Sequence, residues 1–90
     1  MKIYFIGIGG IGVSALAKYY LKLGCEVFGS DLVSSEITKD LEKLGAKICI
    51  GKHKAKNVPK DANLVIFSPA IERKNPEILA AKKYKIKIQS

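Results

Sequence analysis

Ninety residues, 48% hydrophobic and 27% charged, describe a single ordinary globular core and exclude a two-domain chain, a disordered segment or a disulfide scaffold. The formal charge of +8 rests on 16 basic residues against 8 acidic ones, scattered lysines with Arg73 as the single arginine, and lacks the aromatic interleaving or arginine-rich helix of a nucleic-acid reader. No apolar run approaches the roughly 20 residues of a membrane span, and no signal-peptide pattern follows Met1, so the expected setting is the cytoplasm, with neither membrane nor nucleic acid as partner.

Residues 2–7 read as a buried strand, and Gly7 to Gly12 follow it at once. The period then changes: Val13, Leu16, Ala17 and Tyr20 share one face of a helix running from Ile11 to Leu23, which Gly24 ends. Glu26 to Gly29 begin a second strand that finishes near Ser30-Asp31. Ser34-Ser35 then caps a helix containing Ile37, Leu41 and Leu44, closed by Gly45. Lys47 to Ile50 form a third strand, residues 52–57 a polar loop, and Leu64 to Phe67 a fourth strand, wholly apolar. Asn75-Pro76-Glu77 starts a helix reaching Lys83, with asparagine as cap, proline at the first helical position and an acid where the helix dipole favours it. Ile86 to Ile88 make a fifth strand.

Strands alternating with helices imply right-handed crossovers, and hence an α/β fold of three layers around a five-stranded parallel sheet, with expected order 3-2-1-4-5. That order puts the ligand crevice at the carboxyl ends of strands one and four, where it reverses.

The residues that carry chemistry gather at those ends. Gly7, Gly9 and Gly12 match G-x-G-x-x-G between a strand and a helix, a pattern that supplies a tight turn, bare backbone near a ligand and close packing of helix on strand; Gly10 adds a further flexible point. The free N–H groups and dipole at the helix start favour an anion, most often a diphosphate. Asp31, 19 residues after Gly12, stands where an acid holds ribose hydroxyls in dinucleotide folds, so this Rossmann-type pattern alone points to NAD. Its alternative is a solvated turn aspartate. Ser68, Pro69, Ala70 and Ile71 should line the opposite wall with small side chains that leave room for a ring, and His53 is placed to donate to a nucleotide unless it is a solvated loop residue. The lysines at 52, 54, 56 and 60 read as a solvated surface or as steering for an anion. Cys25 and Cys49, apart and in apolar segments, are expected to be buried free thiols, and no metal-ligand cluster, ATP-type phosphate loop or paired nucleophile and base is present.

Over nearly its whole length the chain resembles the N-terminal domain of the Mur ligases, the amide-forming ligases of peptidoglycan synthesis, and is most similar to their alanine-adding branch. The resemblance is carried by residues 5–14, Gly29-Ser30-Asp31, Leu44-Gly45-Ala46, His53 to Asn57, Ser68 to Ile71 and Asn75 to Ile78. It implies a domain that binds the UDP part of UDP-N-acetylmuramate, with Gly9, Gly10, Ile11 and Gly12 on the diphosphate and Asp31, His53, Ser68, Ala70 and Ile71 near ribose and uracil. It also implies that ATP and Mg2+ act in the whole ligase, on a central ATPase domain and a third domain lying outside these residues. The chain alone would then bind without catalysing, and holds no cofactor of its own. Two positions depart from the family pattern: Lys52 intervenes between Gly51 and His53, and Pro69 stands where serine is common. The rival reading, from the same glycines and Asp31, is an NAD-binding domain of a dehydrogenase or regulatory subunit; a free-standing nucleotide sensor or interaction module is a third.

Overall fold

A computed structural model describes residues 1–90. The elements are β1 (Lys2–Ile6), α1 (Ile11–Lys22), β2 (Glu26–Asp31), α2 (Glu36–Lys43), β3 (Lys47–Ile50), a 3-10 turn (Ala55–Asn57), β4 (Leu64–Phe67), α3 (Pro76–Lys83) and β5 (Lys87–Gln89). All strand pairs are parallel and the order is β3-β2-β1-β4-β5, as the alternation of elements requires.

The central strand explains the layering. Alternate side chains of a strand face opposite sides, so Ile3 and Phe5 enter one core with Val13 and Ala17 of α1 and Leu41 of α2, whereas Tyr4 and Ile6 enter the other with Ile78 and Ala81 of α3. The four β1 side chains are at most 1% exposed, and each contributes about 1.5–3 kcal/mol from burial. β1 therefore reads as a continuous apolar run, broken only by a tyrosine hydroxyl that needs a partner.

Local chemistry fixes the element ends. β1 stops at Ile6, one residue earlier than the apolar run suggests, because Gly7 turns away with φ 76°; Gly7 and Ile8 both donate to the carbonyl of Ser30 at 2.9 Å. Ser35 caps α2 by accepting from the Thr38 amide at 3.2 Å, while Thr38 Oγ1 accepts from the Ser35 amide at 2.9 Å. Asn75 caps α3 by accepting from the Glu77 amide at 2.9 Å. Gly24 and Gly45 carry the positive φ values, 85° and 110°, expected just past α1 and α2.

Three expectations need correction. Cys49 is exposed, because β3 is an edge strand with little packed over it, and Cys25 is only half-buried. The polar loop is not structureless, since residues 55–57 form a 3-10 turn. The fifth strand is Lys87–Gln89, one residue later than the sequence suggests, because Lys85 takes a left-handed φ of 58° and Ile86 is spent on the turn.

Candidate functional site

The carboxyl ends of β1, β2 and β4 open into a cleft of about 340 Å3 lined by Gly7, Gly9, Gly10, Asp31, Leu32, His53, Ser68, Ala70 and Ile71. Seven of the nine residues singled out from the sequence meet there; Ile11 and Gly12 instead line an adjacent apolar cleft of about 330 Å3, and Gly10 and Ser68 form the ridge common to both. Leu32, His53, Ala70 and Ile71 continue into a third hollow of similar size beside Lys74 and Pro76. The result is a trough running from the helix start across the sheet end to α3.

At its centre α1 begins without help. Gly10 is its N-cap, no side chain caps it and its first turn holds no acid, in contrast to α2 and α3. Its first amides are therefore left for an external acceptor. Gly10 lies at φ −64°, an ordinary backbone value, so the flexible point expected there is not needed; a Cβ would sit 3.4 Å from the Gly7 carbonyl and 3.5 Å from Ser68 Oγ. At Gly12 a Cβ would meet nothing within 4 Å, so helix-on-strand packing does not demand this glycine either. The close approach is instead at Gly29, where a Cβ would lie 2.7 Å from Ile8 Cδ1 and 2.8 Å from the Phe5 carbonyl.

Asp31 is not a free turn carboxylate. Its Oδ2 accepts from the Gly9 amide at 2.8 Å, so the residue expected near a ribose is tied to the glycine turn. Lys52, the extra residue, points to solvent, and Gly51 absorbs the turn at φ 123°, which lets His53 swing inward. The lysines at 54, 56 and 60 are exposed as well. Pro69, also exposed, lines the apolar cleft, while the Ser68 hydroxyl and carbonyl accept from the amides of Ala70 and Ile71 at 3.3 and 2.9 Å.

Beneath the trough lies a buried polar cluster that sequence reasoning missed. Glu77, 0% exposed, accepts from Tyr4 OH at 2.7 Å and Ser30 Oγ at 2.6 Å through Oε1. Its Oε2 accepts from the Lys54 amide and Asn57 Nδ2, both at 3.1 Å, and from His53 Nδ1 at 3.2 Å. No buried side-chain polar atom in the chain lacks a partner. From sequence, Glu77 was an acid complementing a helix dipole; the available signal was Tyr4 and Ser30, hydroxyls in strands that the fold buries, which demand an acceptor without saying which.

Burial pushes the Tyr4 phenol well above its ordinary value of 10.0, and the charge of Glu77 adds to the rise. The folded chain therefore keeps a proton that the unfolded chain releases above about pH 10, so this contribution is complete below that pH and is lost as pH rises beyond it. Tyr4→Phe is expected to cost about 1–2 kcal/mol at pH 7, from one hydrogen bond to a charged acceptor, and to flatten the fall in stability above pH 10. Urea unfolding of both proteins between pH 7 and 11 checks this, and parallel curves would refute it.

A doubly wound parallel sheet with a glycine turn and an uncapped helix at its switch point defines a Rossmann-type α/β domain. The chain belongs to the Mur ligase family: residues 2–90 match the sequence profile described as Mur ligase family, catalytic domain. It is 52% identical over 89 residues to the UDP-N-acetylmuramate–L-alanine ligase of Campylobacter jejuni, covering 99% of this chain and 20% of that protein. The solved UDP-N-acetylmuramate–alanine ligase of Thermotoga maritima superposes with a TM-score of 0.89 at 44% identity, over 98% of this chain and 20% of that one. A murein peptide ligase from Psychrobacter arcticus gives the same TM-score, 0.89, at 26% identity, over 100% of this chain and 19% of its own. The chain thus spans about one fifth of the length of the relatives it matches.

Proposed function

We propose that this chain is the N-terminal, uridine-nucleotide-binding domain of an ATP-dependent cytoplasmic ligase that joins L-alanine to UDP-N-acetylmuramate. The observation that carries the proposal is the trough: an uncapped helix start with bare glycine backbone at one end, and Asp31, His53, Ser68, Ala70 and Ile71 around a cleft of about 340 Å3 beside it. The Ile11 and Gly12 amides, which no group of the chain occupies, hold the diphosphate beside the bare backbone of Gly9 and Gly10, whose own amides donate to Asp31 Oδ2 and the Gly7 carbonyl, and the cleft residues surround ribose and uracil. The 52% identity to an alanine-adding ligase, against 26% to a murein peptide ligase, favours alanine over a peptide as the group added.

The chain's share of the reaction is to grip the substrate far from the bond being made, so that binding energy from the nucleotide positions the muramyl carboxylate. ATP and Mg2+ belong to the whole ligase. Mg2+ would supply charge neutralisation during phosphoryl transfer, but no three His, Cys, Asp or Glu side chains of this chain come together as a ligand set, so none of its residues is assigned to the metal. The partners are UDP-N-acetylmuramate and the remaining domains of the ligase.

Backbone amide spectra during titration with UDP, and separately with NADH, test the reading. UDP is expected to shift Gly9, Gly10, Ile11 and Gly12 together with the cleft residues. Shifts at those glycines with NADH alone would sink it and restore the dinucleotide alternative.

A further inference from the structure

The buried cluster reaches the trough at one point, the ring of His53. Its side chain is only 9% exposed, and both neighbours of Nδ1 are acceptors: Glu77 Oε2 at 3.2 Å is a carboxylate oxygen, and Ser30 Oγ at 3.1 Å has already directed its hydrogen to Glu77 Oε1 at 2.6 Å. Nδ1 must therefore carry a hydrogen. Nε2 makes no bond within the chain and is not among the buried unpartnered atoms, so it meets solvent, on a ring that lines both the cleft and the hollow beside it. The Lys54 amide and Asn57 Nδ2, both at 3.1 Å, hold the same Oε2 and keep it from swinging away.

We propose that Glu77 is a positioning residue for the nucleotide cleft: by holding the Nδ1 hydrogen of His53 inward, it presents Nε2 to the ligand. In the neutral ring Nε2 is then an acceptor, suited to a sugar hydroxyl or an imide N–H of the base and unsuited to a phosphate oxygen. The arrangement parallels the outer partners that orient metal-bound histidines, with a ligand donor in place of the metal. It also separates the labour in the trough, with the α1 amides meeting the anion and His53 meeting the nucleoside. The nucleoside part of this assignment rests on the uridine-nucleotide reading above; the orientation of the ring does not.

The test has two arms. Long-range 1H–15N spectra of the labelled, ligand-free protein read the ring directly: Nδ1 is expected to carry the proton, and a neutral ring protonated at Nε2 overturns the proposal whatever the ligand is. The second arm is a double-mutant cycle on UDP affinity. His53→Ala is expected to weaken binding about tenfold, and Glu77→Gln about tenfold when His53 is present but less than about twofold when it is absent. Equal losses in both backgrounds would leave Glu77 a structural role only and overturn the proposal. If Glu77→Gln does not fold, Asn57→Ala, which removes one donor pinning Oε2, enters the same cycle with an expected loss of about threefold, again confined to the His53 background. A wild-type protein that binds no UDP refutes the uridine reading, and the ring spectra still decide the positioning.

Discussion

Glu77→Leu is expected to lower the stability of the chain by about 3–5 kcal/mol or more. Leucine approximates the volume of the side chain but accepts nothing, so Tyr4 OH, Ser30 Oγ, His53 Nδ1, the Lys54 amide and Asn57 Nδ2 lose their acceptor together. Tyr4 and Ser30 are 1% and 0% exposed, so water cannot replace the carboxylate for them without opening the core. Each buried donor left unsatisfied costs about 1–3 kcal/mol, and the group as a whole about 3–5 kcal/mol or more. A domain this small has a stability of roughly 5–13 kcal/mol, and the lower part of that range does not survive the loss. Replacing a buried charge by an apolar group is sometimes harmless, but only when its partners are replaced as well. Urea unfolding followed by circular dichroism measures the effect; a loss below about 1 kcal/mol would mean that the five donors find other acceptors.

The second large effect falls on binding. Gly10→Val is expected to reduce UDP affinity about a hundredfold while the chain still folds, because branched carbons at the N-cap crowd the ridge between the two clefts, next in sequence to the amides that begin α1. Two charge-assisted hydrogen bonds at about 1.5–3 kcal/mol each are at stake, and a hundredfold corresponds to about 2.8 kcal/mol. Folding suffers less. The backbone at Gly10, φ −64°, suits valine, and the Cβ meets the Gly7 carbonyl and Ser68 Oγ at 3.4 and 3.5 Å, which is ordinary contact. A loss near 1 kcal/mol would lower the melting temperature by roughly 4–8 °C. Unchanged affinity would move the diphosphate away from this turn, whereas an unfolded variant would show that the ridge between the clefts is tighter than these distances indicate.

Sheet order and most element limits were legible because they rest on local rules. An apolar strand followed by glycines and a 3.6-residue period admits few alternatives, and Asn75-Pro76-Glu77 marks a helix start whatever surrounds it. The trough was legible too, since Gly9 and Ser68 follow the carboxyl ends of β1 and β4, Asp31 is the last residue of β2, and a parallel sheet brings those ends together. The layer beneath it was not. Tyr4 and Glu77 lie 73 residues apart, and only the packing of α3 against β1 tells which acid meets which hydroxyl. Cys49 was misjudged for a related reason: whether an apolar segment is buried depends on whether its strand is central or at the edge, which the segment itself does not reveal. Glycine spacing located the turn but not the demand at each position: a Cβ at Gly12 would meet nothing within 4 Å, while the tightest approaches, 2.7 Å, are at Gly9 and at Gly29, which lies outside the motif.

The bond from the Gly9 amide to Asp31 Oδ2, 2.8 Å long, gives the glycine turn an acceptor from within the chain. The protein's own carboxylate holds one donor of the turn in place before any ligand arrives. Under the proposed function, a diphosphate meets a receptor already set in shape, and part of the ordering entropy that would oppose association has been met during folding. The same carboxylate repels an anion that comes too near, so the turn should discriminate sharply in distance, admitting phosphate oxygens over the start of α1 and keeping them from the end of β2.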